Sequence, residues 1–355
     1  MRQIRSSLSR RALLKGAGIA SVAALAAPLP LRAQSKGPLV FATWGGSWEK
    51  AMREAWFDPF TKKTGIPVTS VGGNTYGKFR AMVESGSVEW DVVEVNPDFQ
   101  WIGAKDNLLE RLDFKMIDRS QIMKGQDLVT DYSVPEVLWS RVMFYNTKSF
   151  GSGHPANWAE FWDTKRFPGK RTLASKANGG ALEVALIADG VAPDKLYPLD
   201  VDRALKSLSR IKEDILWYDT NAQAEQFMSD GQAVLGLVPD GRALSALDRQ
   251  APIALEYNQS MMTWATLVMP KGAPHKEAAM QFLAYTMTAE AQVAIAKAYT
   301  YGPVTPAAFE MLPAERAKIL SGGPQQQGKF FLANEKWWGE NLAGASEKMN
   351  AWRLT

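Results

Sequence analysis

Apolar positions along this chain switch between a period of two and a period near 3.6, and the switches mark out its elements. Leu39–Ala42 is a short run of β-formers that ends in Thr43-Trp44-Gly45-Gly46, and a helical period starts at once. Trp48, Ala51, Met52, Ala55, Trp56, Pro59 and Phe60 then share one helical face, with Ser47 as the expected cap, a kink expected at Pro59 and Gly65 as the closing residue. Residues 66–71 read as a second strand, Thr75 caps a helix to about residue 85, and residues 90–95 form a buried third strand. This β-α-β-α-β order predicts a largely parallel sheet covered on both faces.

Residues 134–145 are apolar and extended, and read as a segment passing from one lobe into another. Beyond them come an aromatic helix at 157–162, a strand at 171–174, and the loop Asn178-Gly179-Gly180 opening a helix to 188. A helix at 202–211 and a strand at 233–238 follow, the strand running through Pro239-Asp240-Gly241-Arg242 straight into a helix. The second lobe thus repeats the plan of the first: sheet edge, loop, helix start. Residues 263–269 are a strand, 276–285 and 288–298 are helices, 299–304 a rigid loop, and the C-terminal part is helical around Trp337-Trp338.

The N-terminus changes the picture of where the protein works. Ser9-Arg10-Arg11-Ala12-Leu13-Leu14-Lys15, an apolar run over 16–27 and Leu31-Arg32-Ala33 form an ordered twin-arginine export signal, so residues 1–33 are expected to be removed and the protein to be periplasmic. Six of the 41 Lys and Arg lie in that segment, which holds no acid. Without them 35 basic residues face 37 acidic ones, a formal charge of −2, so the basic balance of the full chain argues for no nucleic-acid partner. The absence of cysteine means that the core alone holds an exported chain of this size.

Catalytic and phosphate-binding patterns fail one by one. Gly72-Gly73-Asn74-Thr75-Tyr76-Gly77-Lys78 matches a phosphate loop until Phe79, which cannot ligate magnesium, so a glycine turn before a capped helix is the better reading. Gly45-Gly46-Ser47-Trp48-Glu49 lacks the second glycine of a nucleophile elbow, and the chain has only two histidines, His154 and His275, both in loops. No metal, no cofactor and no catalytic residue is expected. What remains is a set of aromatics at predicted strand ends: Trp44, Tyr76, Trp264 and Tyr301. Their broad rigid faces suit closure over a small solute.

The chain combines the opening strand with Trp44, Gly73-Asn74-Thr75-Tyr76-Gly77-Lys78, Trp90-Asp91-Val92-Val93, and Val134-Pro135 with Phe144-Tyr145-Asn146. Trp158-Ala159-Glu160-Phe161-Trp162 and Tyr301-Gly302-Pro303-Val304-Thr305-Pro306 follow in order. Together these motifs resemble an extracellular solute-binding protein of an ABC importer, of the spermidine/putrescine-binding type. The resemblance implies a two-lobed α/β periplasmic-binding-protein fold, each lobe a mainly parallel sheet flanked by helices, with crossing segments as the hinge. Residues 34–138 with 262–306 would form one lobe and 139–261 with 307–355 the other. The resemblance also implies closure over a ligand, docking on a membrane permease, and ligand contacts at Trp44, Tyr76, the 239–242 loop and the 263–265 strand.

The departures from that type set the expected ligand. Its ammonium-holding carboxylates have no counterpart in Ser175-Lys176-Ala177-Asn178 or in Thr263-Trp264-Ala265-Thr266. Lys176 and Arg242 stand there instead, and a guanidinium at a helix start can fork a carboxylate. Arg242 turned to solvent or paired with Asp240 is the competing reading, and Asp240 is the acid best placed for an amine. The expected ligand is therefore a carboxylate or zwitterion such as an ω-amino acid, bound by a monomer through Trp44, Gly46, Ser47, Tyr76, Lys176, Asp240, Arg242, Trp264 and Tyr301. A polyamine is the alternative ligand. Ferric ion would need more clustered tyrosines than Tyr299 and Tyr301, and a periplasmic hydrolase is the enzymatic alternative.

Overall fold

Among the described residues nine strands carry the architecture: β1 (Leu39–Ala42), β2 (Val68–Val71), β3 (Val92–Val95), β4 (Ser133–Asn146), β5 (Arg171–Ala174), β6 (Ile215–Tyr218), β7 (Leu235–Pro239), β8 (Ile253–Val268) and β9 (Phe330–Leu332). They are seen in a computed structural model that describes residues 37–123, 128–150 and 153–355; the expected export signal lies outside the described residues. The strand order is β2-β1-β3-β8-β4-β7-β5-β6, with β9 added beside β8.

Two parallel sets, β2-β1-β3 and β7-β5-β6, hang on one antiparallel pair. β4 and β8 are 14 and 16 residues long and pair along nearly their whole length. The far end of β8 pairs with β3, Val93 opposite Val268, while β4 turns to β7 from Arg141, opposite Pro239. The register of β4 on β8 shifts between Pro135 and Leu138 and again between Arg141 and Met143, which bracket the crossing. Such irregularities bend and twist a strand pair locally, as a passage between two lobes requires.

The inner short strands β1, β3, β5 and β7 are buried on both faces along nearly their whole length. Leu39 and Phe41 of β1 enter one core with Trp56, Phe60, Phe282 and Leu283, while Ala42 enters another with Phe79, Trp90 and Val93. In the second lobe Leu173, Leu235 and Leu237 pack on the helix Ala181–Ala188, and Ala174, Phe144 and Val238 pack on the helices Asn221–Ser229 and Asp240–Asp248.

Several local expectations need correction. Ser47 does not cap its helix: Gly45, at φ 77°, precedes a first turn that begins at Gly46, and Ser47 lies exposed inside it. Next to Pro59 the helix is irregular rather than simply α-helical: a π-helical turn, Arg53–Phe57, widens the ladder before α-helical turns resume over Asp58–Thr64. Thr75 caps Tyr76–Ser85 as expected, its hydroxyl accepting from the Lys78 amide, and Gly65 ends its helix at φ 77°.

The helices Pro306–Met311 and Ala314–Ile319 pack through Ala308, Leu312 and Ala317 on Val293 and Ala296 of the helix Ala289–Ala298, so that layer continues past residue 306. The C-terminal helix Glu335–Leu354 buries Trp338 in the second-lobe core, yet its Gly339 lies against Trp101 of the first lobe.

Candidate functional site

The C-terminal end of β1 is held open by a buried carboxylate. Glu94 of β3 accepts the Trp44 backbone N–H at 2.8 Å and the indole N–H of Trp48. The Asn74 side chain donates to the Glu94 carbonyl at 2.8 Å, drawing the second strand's loop to the same edge. Glu94 and its neighbour Glu136, at the irregular stretch of β4, are both fully buried. Burial raises both carboxyls, and the nearby Glu94 charge raises Glu136 well above the usual range. Hydrogen bonds from Thr43, Trp48, Glu136 and the Trp44 amide oppose the shift at Glu94.

On that footing stands an aromatic basin. Trp48 meets Tyr299 and Tyr301 edge-on at centroid distances of 5.3 and 5.2 Å, and the two tyrosines lie 4.9 Å apart. The Ser47 hydroxyl is 3.5 Å from that of Tyr299. Trp44, 49 % exposed, is tied to the same edge by its backbone bond to Glu94, and Gly45 and Gly46 both adopt positive φ values of 77° and 70° that a side chain would resist. Nothing stands within 4 Å of a side-chain position at Gly46, so the backbone there is approachable.

Opposite lies the start of the helix Asp240–Asp248. A Cβ on Gly241 would sit 3.3 Å from the Tyr301 ring, which brings this helix start onto the basin. Asp240 is fully buried; it accepts from the Ser321 hydroxyl and from the Gly241 N–H at 2.7 Å, and Ser321 also bonds Ser140 of β4 at 2.7 Å. Burial pushes the Asp240 carboxyl up to about 7 despite those donors. Arg242 does not pair with Asp240. It turns to Glu225 at 3.8 Å, an acid shared with Arg249, and its side chain stays partly exposed.

Of the nine residues singled out from sequence, Trp44, Gly46, Ser47 and Tyr301 therefore come together, with Asp240 and Arg242 at the facing helix start. Tyr76 is elsewhere: its ring stacks on Phe99 at 4.1 Å and its hydroxyl donates to Asp98 at 3.0 Å. Trp264 is 1 % exposed and packed in the first-lobe core, because at this β8 position the side chain points into the layer that holds Leu138 and Met262. Lys176 is exposed after β5 and makes no ion pair among the described residues.

Three groups near the crossing escaped the sequence reading. Trp48 was assigned only to a helix face, and Glu94 only to a buried strand. Arg141 sits inside the apolar stretch of β4, over Trp139 at 4.8 Å and against Gly180, with no ion pair among the described residues. Acids and a lone arginine inside otherwise apolar strands were the available signal.

No hydrolytic constellation forms around Ser47. His154 stacks on Tyr145 at 4.1 Å, and His275 bonds Asp91 at 3.0 Å. Among the described residues no group of three or more His, Asp or Glu could hold a metal ion, and no helix is long and apolar enough to cross a membrane.

Comparison with known proteins agrees with this arrangement. The profile of the bacterial extracellular solute-binding protein family matches residues 55–320. The gamma-aminobutyric acid-binding protein of Pseudomonas aeruginosa is 31% identical over 341 residues, covering 94% of this chain and 95% of its own. The solved Atu4243 GABA receptor superposes with a TM-score of 0.83 at 38% identity, covering 89% of this chain and 98% of that one. An ABC transporter substrate-binding protein from Bradyrhizobium japonicum USDA 110 gives 0.84 at 34% identity, over 89% and 99% of the two chains. With two lobes on a crossing strand pair and a polar, aromatic site at their strand ends, the chain belongs to the bacterial extracellular solute-binding protein family, the non-catalytic periplasmic receptors of ABC importers.

Proposed function

We propose that the protein captures a small carboxylate-bearing or zwitterionic amine, an ω-amino acid such as γ-aminobutyric acid, between its lobes. It then delivers the solute, as a monomer, to the membrane permease of an ABC importer. One observation carries the reading: Asp240-Gly241-Arg242, an acid and a base at one helix start, abuts Tyr301 of the basin. Trp44 and Tyr301 would line the solute's carbon chain. Gly46 and Ser47 would offer backbone approach, Arg242 and Lys176 would take the carboxylate, and Asp240 would take the amine. The relatives named above as binding γ-aminobutyric acid support this ligand class over a polyamine.

In this proposal residues 1–33 are a twin-arginine signal, and the jaws are 34–138 with 262–306 and 139–261 with 307–355, the helices packed on Ala289–Ala298 moving with the first. A thermal-shift panel tests it. An ω-amino acid should raise the melting temperature in a concentration-dependent way, since it binds only the folded state. A flat response to every ω-amino acid rejects the ligand class, and a larger shift with 1,4-diaminobutane would favour the polyamine alternative.

A further inference from the structure

The C-terminal helix Glu335–Leu354 ties the two lobes together through its first turns, and buried acids line that seam. A Cβ on Gly339 would stand 3.0 Å from the Trp101 Cβ and 3.1 Å from the Asp98 carbonyl oxygen, so the helix rides against the start of Phe99–Lys105 in the first lobe. From the same turns Lys336 lies over the Trp101 ring at 5.5 Å. On the other side Trp338 donates its indole N–H to Glu183 of the second lobe at 2.9 Å, and the Tyr197 hydroxyl donates to the same oxygen at 2.8 Å. The second Glu183 oxygen has no hydrogen-bond partner among the described residues. Glu335, at the head of the helix, accepts from the Thr263 hydroxyl of β8, the strand that crosses between the lobes.

Three buried acids thus stand along one seam: Asp98 in the first lobe, Glu335 at the crossing and Glu183 in the second lobe. Burial pushes the Glu335 carboxyl up to about 8 against the Thr263 donor; the Asp98 and Glu183 charges add to the rise, and the Arg141 guanidinium of β4 opposes it. The two phenols that donate here, Tyr76 to Asp98 at 3.0 Å and Tyr197 to Glu183, are pushed up by burial and stay neutral, and Lys336 is exposed at the edge. A charge on Glu335 would therefore stand between two like charges where water screens them poorly.

We propose that the first turns of Glu335–Leu354 form a proton-sensitive clamp between the lobes, which grips while Glu335 is neutral and releases when Glu335 becomes charged between Asp98 and Glu183. The gripped arrangement holds a proton that the released one gives up, so it is favoured below the Glu335 titration and lost as pH rises through it. The clamp acts on lobe movement itself, so it is independent of which solute the cleft takes.

The chain has no cysteine, so Lys62→Cys in the first lobe and Ala222→Cys in the second, both exposed, accept a pair of spin labels without further changes. Pulsed electron paramagnetic resonance on the processed, solute-free protein then reads the distance between the lobes at pH 6 and pH 9. One narrow distribution is expected at pH 6, joined at pH 9 by a second, displaced population. Glu335→Gln carries no charge at either pH and should keep the pH 6 distribution at both. Asp240→Asn, which removes the other titration near neutrality, should leave the shift in place. A parent distribution that does not move overturns the clamp, as does a Glu335→Gln protein that moves as far as the parent, or an Asp240→Asn protein that does not move. Should Glu335→Gln fail to fold, Asp98→Asn decides in its place, because it removes the first-lobe charge and keeps an acceptor for Tyr76. Its displaced population at pH 9 should then shrink roughly two-fold or more, and an undiminished shift overturns the clamp.

Discussion

Asp240 shows how one buried residue can couple ligand binding to pH. Its carboxyl titrates near 7 in the fold against about 3.9 in an unfolded chain. Between those values the folded state holds a proton that the unfolded state has released. Stability therefore falls as pH rises through this window and is level above it. Asp240→Asn removes the titration, so the difference in melting temperature between pH 5 and pH 8 should shrink, by an amount worth on the order of a few kcal/mol at most. An unchanged pH dependence would mean that Asp240 is not the titrating group. A cation approaching Asp240 stabilises its charged form, so any contribution it makes to amine binding should grow as pH rises from 6 to 8 and vanish in the asparagine variant. Trp44 makes a complementary case. Half exposed at the sheet edge, it adds little to the core, so Trp44→Ala should weaken solute binding several-fold while lowering the melting temperature by only a few degrees, about 1 kcal/mol or less of stability. A large stability loss with unaltered binding would reassign it to packing.

Among the elements, the crossing pair β4–β8 and the segment behind it are the most tightly specified. Gly302 exchanges two hydrogen bonds with Leu138, at 2.7 and 2.8 Å, and a Cβ there would stand 1.9 Å from the Ser321 carbonyl oxygen. That oxygen is backbone and cannot swing aside, so Gly302→Ala should cost roughly 1–3 kcal/mol, read as a lowered denaturation midpoint. A neutral substitution would show that the strap from Tyr301 to Ser321 is more adaptable than its geometry implies. The elements also differ in how legible they were. β5 and the helix Ala181–Ala188 stand where their patterns put them, since a four-residue apolar strand and a glycine turn leave few alternatives. β6 and the helix Asn221–Ser229 were missed. Ile215–Tyr218 is only four residues long, and the helix after it carries a weak apolar stripe. The first half of β8, with Glu256, Asn258 and Gln259, is polar because part of it faces solvent, and only its buried second half reads as a strand. In the site, Trp44 and Tyr301 were legible as aromatics beside glycine. Glu94 was not, because an acid in a buried strand has meaning only once its indole partner is known.

For the molecule as a whole, the design is two parallel strand sets joined in one sheet by a long antiparallel pair. Charged groups stand on both sides of the crossing pair: Glu94 behind the end of β1, and Asp240 with Arg242 at a helix start. A solute with charge at both ends can engage both jaws at once, and such bridging is what stabilises a closed form over an open one. Membership of the solute-binding family fixes the kind of task, and the cargo we propose for it is an ω-amino acid. The most direct test is calorimetric titration of the processed protein with 4-aminobutanoate, butanoate and 1,4-diaminobutane under one set of conditions. The account predicts one site per chain and a dissociation constant for 4-aminobutanoate at least ten-fold below those of the two single-charge-type analogues, a difference of about 1.4 kcal/mol or more. Tighter binding of 1,4-diaminobutane, or no binding of 4-aminobutanoate, would contradict it.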